Sequence, residues 1–535
     1  MIVNPILPGF NPDPSICRVG DVYYIATSTF EWYPGVQIHR STDLVNWTLV
    51  ARPLTRASQL DMRGNPDSCG IWAPCLSWAD GLFWLVYTDV KRYEGNFKDT
   101  HNYIVTAPAI DGPWSDPVHV NSSGFDPSLF HDDDGRTWFV NMVWNPLTAS
   151  VGGKPRAPAF DGILLQQWDA AQRRLVGPVR NIFKGTSLGL VEGPHLHKRG
   201  GWYYLTTAEG GTAYDHAVTM ARSRHIEGPY ELHPQRHPIT SKDHPEAPLQ
   251  RAGHGQIVET PDGLTYHTHL CSRPLPGTRR SPLGRETAIQ RCEWRDDGWL
   301  YLAGGGVVPH VEVPSPDPAS RREPRGERHH RFADSRELPM DFQWLRTPDP
   351  ERLFTLTPGG LRLHGRESIG SWFEQSLVAR RQEDFVFRAE TTLARFEPST
   401  YQQSAGLVLY YNRFKFHFLS VSRDERLGRV LTILSCPADW PDGRLEFPLA
   451  EPIPLPGDGP LRLAIEVDHA QARFWCDAGS GPMPVGGVLD ASLVSDEAGR
   501  GAHGSFTGAF VGMLAFDTSG GGCPADFTEF RYTPR

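Results

Sequence analysis

The sequence predicts an all-β chain, a five-bladed β-propeller followed by a β-sandwich. Three observations carry that expectation. A short motif that opens a strand recurs five times in the first half of the 535-residue chain. Each copy is followed by strand-length runs of β-branched and aromatic residues. After a Pro-rich break the strands resume without the motif.

The five copies are Asn11-Pro12-Asp13-Pro14-Ser15-Ile16, Trp72-Ala73-Pro74-Cys75-Leu76, Phe125-Asp126-Pro127-Ser128-Leu129, Glu192-Gly193-Pro194-His195-Leu196 and Gly253-His254-Gly255-Gln256-Ile257. From Asp13 to Ala73, Asp126, Glu192 and His254 the steps are about 60, 53, 66 and 62 residues, the long period of a propeller built from one sheet per repeat. If each motif opens the innermost strand of its blade, all five face one axis. Asp13, Asp126 and Glu192 then bring three carboxyl groups to one cavity. Burying several acids together is costly, so such convergence signals chemistry rather than architecture.

Blade one sets the pattern. Val22 to Ser28 is β-branched and aromatic, Val36 to Ser41 alternates apolar and polar, and Asp43 to Val50 is a turn leading into an outer strand. Comparable runs start at Leu82, Thr137, Trp202 and Leu264, and the fifth blade ends near Leu302. The propeller is expected over residues 1–313. Residues 314–331 are Pro-rich, charged and without apolar periodicity, the composition of a solvated linker. From 332 to 535 alternating strands, such as those around Val386, Leu407, Phe418 and Leu463, argue for the sandwich.

Composition narrows the function. A net charge of −9 argues against nucleic acid or an anionic membrane as partner. The 16 Trp, 16 Tyr and 26 Phe suit β-domain cores, and their flat rings also suit stacking on the C–H faces of a sugar. The eight cysteines have no Cys-x-x-Cys pair and no zinc-ligand spacing, so buried free thiols are expected. No apolar run is long enough to span a membrane. The opening Met1-Ile2-Val3-Asn4-Pro5 lacks a basic region followed by an apolar one, so a cytoplasmic location is expected.

In its fuller form the first motif reads Gly9-Phe10-Asn11-Pro12-Asp13-Pro14-Ser15. With Ser28-Thr29-Phe30-Glu31-Trp32-Tyr33-Pro34-Gly35, Gly70-Ile71-Trp72-Ala73-Pro74, Glu192-Gly193-Pro194-His195, Gly253-His254-Gly255-Gln256 and Leu283-Gly284-Arg285-Glu286-Thr287, it resembles glycoside hydrolase family 43. Over nearly the full length, Phe506-Thr507-Gly508-Ala509-Phe510-Val511-Gly512 included, the chain is similar to the family's two-domain β-xylosidases. The resemblance implies that the second domain is concanavalin-like. It implies inverting, exo-acting hydrolysis of β-1,4-xylo-oligosaccharides from the non-reducing end, and homo-oligomeric assembly. Asp13 would be the general base, Glu192 the general acid and Asp126 the carboxylate that tunes the acid and orients substrate. Arg285 would bind hydroxyls of the terminal xylose. Phe30, Trp72 and Trp144 would form aromatic walls, and Phe506 would reach from the sandwich to narrow the pocket. His254 is expected to orient its neighbours by hydrogen bonding. A calcium ion beside it is the less favoured reading, since calcium takes six or more oxygens, and no cofactor is expected.

Inversion needs one protonated carboxyl at the leaving oxygen and one ionised carboxylate activating water, about 6.5–9.5 Å apart. Inner strands facing across a funnel can supply that gap. Asp132-Asp133-Asp134 before Gly135 fits a hairpin turn, and Glu209 is open between support of the site and a structural role. An invertase-type hydrolase shares the two-domain plan, but its Asn-Asp-Pro-Asn-Gly and Glu-Cys motifs are absent. An α-L-arabinofuranosidase, alone or as a side activity, stays open, as does a sugar-binding protein without catalysis.

Overall fold

The computed structural model describes residues 1–93, 97–147, 150–151, 154–155, 159–438, 443–499 and 505–535. Those residues are β-strand and loop apart from three single-turn 3-10 helices. Among them no helix is long and apolar enough to cross a membrane.

Five antiparallel sheets follow one another through the first half. The inner strands are Ser15–Val19, Gly70–Ala79, Ser128–His131 and Glu192–Arg199, with the fifth split into Gln250–Gly253 and Ile257–Glu259. The runs read from the sequence as the recurring apolar pattern are the second strands, Val22–Thr27, Leu82–Arg92, Thr137–Trp144, Trp202–Glu209 and Thr265–Ser272. Each lies between two strands of its own sheet and has most of its side chains buried on both faces, so the run reads as nearly continuous apolar sequence. The ring is fastened at its ends. Ile2–Val3 pairs with Glu312–Val313, the Ile6 and Leu7 N–H groups donate to Thr287 O, and Asn11 N–H donates to Arg285 O.

The repeat differs from the sequence reading by one residue in the fourth blade. Asp13, Ala73, Asp126, Gly193 and His254 all have positive φ, between 34° and 58°, immediately before the strand turns outward. Gly193, not Glu192, therefore holds the axial position in the fourth blade. Glu192 is equivalent to Trp72 and Phe125, the residues just before the kink.

The second half is a sandwich of two large sheets. One runs from Phe354–Thr357 through Pro524–Pro534 and Val386–Arg395 to Met483–Asp490. The other runs from Ile453–Pro454 through Gln403–Asn412 and Phe510–Asp517 to Phe342–Leu345. That second sheet does not end in its own domain. The propeller segment Trp32–Tyr33 pairs with Phe342–Leu345, and the Trp32 ring stacks on Phe510 with centroids 3.6 Å apart. The Arg346 guanidinium donates to Asp67 Oδ1 (2.7 Å) and Asn65 O. The two domains thus share strand pairing, apolar core and a buried ion pair.

Residues 314–331 are not a free connector. Arg328–Arg331 is a strand paired with Pro524–Pro534, and the Arg322 guanidinium donates to Val3 O and Pro5 O. Arg325 and Arg328 reach acids of the sandwich, Asp384 and Asp341, so charged composition there marks a packed strap. Seven of the eight cysteines are buried and Cys523 is half-buried.

Candidate active site

The kink before each inner strand aims its side chain at the axis. Asp13 and Asp126 adopt φ of 57° and 55°, a left-handed conformation that costs most residues but that Asp tolerates. The following proline cannot donate a ladder hydrogen bond, which suits a residue just outside the sheet. The carboxyl groups of Asp13, Asp126 and Glu192 all line one cavity of about 200 Å³. That is below the range of about 300–1,000 Å³ typical for drug-sized ligands.

Each acid is held differently. Asp13 Oδ2 accepts from Ser28 Oγ (2.6 Å) and Oδ1 from Arg285 Nη1 (3.0 Å). Ser28 Oγ in turn accepts from Ala73 N–H, tying blades one and two to the same acid. Burial works to raise the Asp13 carboxyl, but Arg285, His254, Ser28 and His216 outweigh it and hold it below the ordinary value. Glu192 goes the other way: burial and then the charge of Asp13 lift it to about 8, against Arg285 and Lys98. Asp126 is pushed well above the usual carboxylate range by burial, Glu192 and Asp13, although the Gly193 N–H donates to its Oδ2 (3.0 Å). After burial, the charge that raises Glu192 most is Asp13's. Asp126 is pushed in the same direction as Glu192, by burial first and then by Glu192 and Asp13.

His254 lies 3.7 Å through Nδ1 from Asp13 Oδ1, too long for a hydrogen bond, and burial holds it below its usual value. Its ring covers Gly193, where any Cβ would come within 2.9 Å. Glycine is required there both by its φ of 58° and by this contact. His254 thus fixes the turn that carries Glu192, by packing rather than by hydrogen bonding. Among the described residues no group of three or more His, Cys, Asp or Glu side chains is placed to hold a metal. His195 and His216 adjoin His254 and offer nitrogen, where calcium takes oxygens. Protein atoms alone do not make a calcium site at His254.

Arg285 reaches Phe506 O through Nη2 (3.0 Å) and lies 5.4 Å from the Phe30 centroid. Glu286 does not compete for it, being held by Arg273. Phe30 and Trp72 line the cavity, with Trp72 Nε1 donating to Ser68 O. Phe506 lines it from the sandwich. Its N–H donates to Ser68 Oγ, its neighbour Thr507 N–H to Tyr411 Oη, and its ring meets Phe30, Trp72 and Tyr93 at 5.5–6.2 Å. Gly284 permits this approach, since a Cβ there would lie 2.3 Å from Thr507 O.

Trp144 is the exception. It stands outside the cavity, edge-on to Phe160, with the Lys98 ammonium 4.4 Å above its ring. Phe160 and Lys98 occupy the wall expected of it. Tyr93, Phe125, Gly211 and Thr212 also line the cavity and, like Ser28, were not singled out from sequence. Phe125 had a signal at the motif position shared with Trp72 and Glu192, and Ser28 lies in the Ser28-to-Gly35 stretch that carries the family resemblance. Glu209 is fully buried and accepts from Thr186 N–H, Thr186 Oγ1 and Thr219 Oγ1, a purely structural role.

Residues 2–300 match glycosyl hydrolases family 43, and residues 330–533 match the β-xylosidase C-terminal concanavalin A-like domain. The chain is 59% identical over 534 residues to xylosidase/arabinosidase 43B of Humicola insolens, covering 99% of this chain and 97% of that one. It is 48% identical to a β-xylosidase of Bacillus subtilis, covering 99% of each. The crystal structure of a xylan β-1,4-xylosidase from Bacillus halodurans C-125 superposes over the full length of both chains with a TM-score of 0.94 at 50% identity. The chain belongs to glycoside hydrolase family 43, as a two-domain member with a propeller and a concanavalin A-like sandwich.

Proposed function

We propose that this glycoside hydrolase releases xylose, with inversion, from the non-reducing end of short β-1,4-xylo-oligosaccharides. The observation that carries the reading is the opposite protonation of two acids in one small cavity. Asp13 is ionised and Glu192 neutral at the same pH. Asp13 takes a proton from water as its oxygen attacks the anomeric carbon. Glu192 gives its proton to the departing glycosidic oxygen as the bond breaks on the other ring face. Asp126 is a hydrogen-bond partner for a sugar hydroxyl. Arg285 offers its donor fork to vicinal hydroxyls. The cavity's size supports attack at a chain end.

Proton NMR of the first product from xylobiose tests this reading. α-Xylose should accumulate before mutarotation. Early β-xylose would sink the inverting assignment. The similarity to a xylosidase/arabinosidase favours a second activity on α-L-arabinofuranosides, read by running nitrophenyl xyloside and arabinofuranoside side by side.

In this reading Phe506 forms the wall for the leaving sugar. Phe506→Ala should weaken xylobiose by about 1–2 kcal/mol, mainly in KM, from lost apolar contact. Melting should be nearly unchanged, because the ring is only half-buried in the free protein. Unaltered kinetics on xylobiose and xylotriose would remove Phe506 from the site.

A further inference from the structure

A second, charged cavity of about 630 Å³ lies between the propeller, the strap and the sandwich. Arg52 from the propeller, Arg322 from the strap and Arg381 from the sandwich all line it. Each guanidinium is bonded only to neutral oxygens. Arg52 donates to Gln37 Oε1 and Phe342 O, Arg322 to Val3 O and Pro5 O, and Arg381 to Phe10 O and Gln343 Oε1. Among the described residues none of the three forms an ion pair within 4.0 Å.

Two buried polar side chains face this cavity with an atom left without a partner. Arg381 is 5% exposed and its Nη2 is unbonded; His39 is 9% exposed and its Nδ1 is unbonded. The cavity's own acids are engaged or exposed. Asp341 is held by Arg328 and His330, and Glu383 by Arg328 and Arg380. Glu323 and Glu327 are exposed. Buried guanidinium groups without a directly paired counter-charge are costly to a fold. Burial presses Arg52 below its usual value against the pull of Asp341, and burial with repulsion from Arg52 and Arg380 does the same to Arg381 against Glu383.

We propose that this interdomain cavity binds a small phosphate-class oxyanion, with Arg52 and Arg381 as its principal donors and His39 and Arg322 at its edge. Guanidinium forks match such an anion in shape and charge. The ligand would bridge the two domains. It would also brace the approach to Asp13, because Arg381 holds Phe10 O and Gln37 Nε2 donates to Asn11 Oδ1. This site is separate from the acid-lined pocket.

The test uses the full chain with inorganic phosphate against chloride at matched ionic strength. Phosphate should raise Tm saturably, by about 2 °C at a hundredfold excess over Kd, with matching heat in titration calorimetry. Arg381→Gln and Arg52→Gln should each abolish the phosphate-specific shift; either one suffices if the other misfolds. A pentose 5-phosphate is the second arm. Binding tighter than phosphate names a phosphorylated sugar as ligand, and weaker binding names the free ion. No saturable phosphate binding, or equal stabilisation in the parent and both variants, overturns the proposal. So does binding lost in Arg285→Gln but kept in Arg381→Gln, which would place the anion in the catalytic pocket.

Discussion

Asp13→Ala should lower turnover of every substrate by about 10³–10⁴-fold, the upper part of the range for general acid–base groups. Water must be activated whatever the leaving group, so xylobiose and an activated aryl xyloside should suffer alike. The loss should be large because Asp13 is the one acid of the pocket held below its ordinary value; its two companions are pushed the other way. Truncation also releases Arg285 Nη1 and Ser28 Oγ, which both donate to this carboxylate. Asp13→Asn separates charge from packing, since the amide keeps the shape and one acceptor. It should be nearly as inactive. It should also let Glu192 titrate lower, because the Asp13 charge is second only to burial in raising it. Carboxyl ¹³C NMR of Glu192 would read this. Activity within tenfold of the parent, or a Glu192 titration that does not move, would show that Asp13 is not the base.

The five-fold repeat was legible because its physics is local. A residue in a left-handed kink, usually followed by proline, opens each inner strand. Asp13, Ala73, Asp126 and His254 could be aligned on that basis. Glu192 was placed one residue off because its carboxyl invited alignment with Asp13 and Asp126. The better guide was Pro194, which aligns with Pro14, Pro74 and Pro127 and puts Gly193 on the axis. Other parts of the site had no local signal. Lys98 and Tyr93 come from the blade-two hairpin, and Phe160 from a neighbouring strand displaces Trp144. Such packing is decided between segments far apart in the chain. The Trp32–Tyr33 strand is too short to show alternation, and its partner lies about 310 residues away, so no periodic pattern could reveal it. The strap misled for a related reason: arginines read as solvated charge can reach main-chain carbonyls and carboxylates of the neighbouring domains.

Glu192→Ala should divide substrates by leaving group. Hydrolysis of xylobiose needs a proton on a poor leaving oxygen, and losing the acid should cost about 10²–10⁴-fold. A nitrophenolate departs without that help, so the aryl xyloside should be slowed far less. The same residue sets the alkaline side of the pH profile. The productive form has Asp13 ionised and Glu192 protonated. kcat/KM should therefore fall as pH rises through about 8, where Glu192 loses its proton. On the acid side it should fall only below the ordinary Asp value of about 3.8, since Asp13 is held under it. For the aryl substrate, Glu192→Ala should remove the alkaline limb and leave the acid limb in place. Burial keeps Glu192 protonated, so a polar substitution that admits water beside it should move the limb to lower pH without removing it. Two results would defeat the assignment: equal loss on xylobiose and the aryl xyloside, or an alkaline limb that survives unchanged in Glu192→Ala. Either would leave the proton donor to Asp126, the other carboxyl in the cavity that burial and its acidic neighbours push upward.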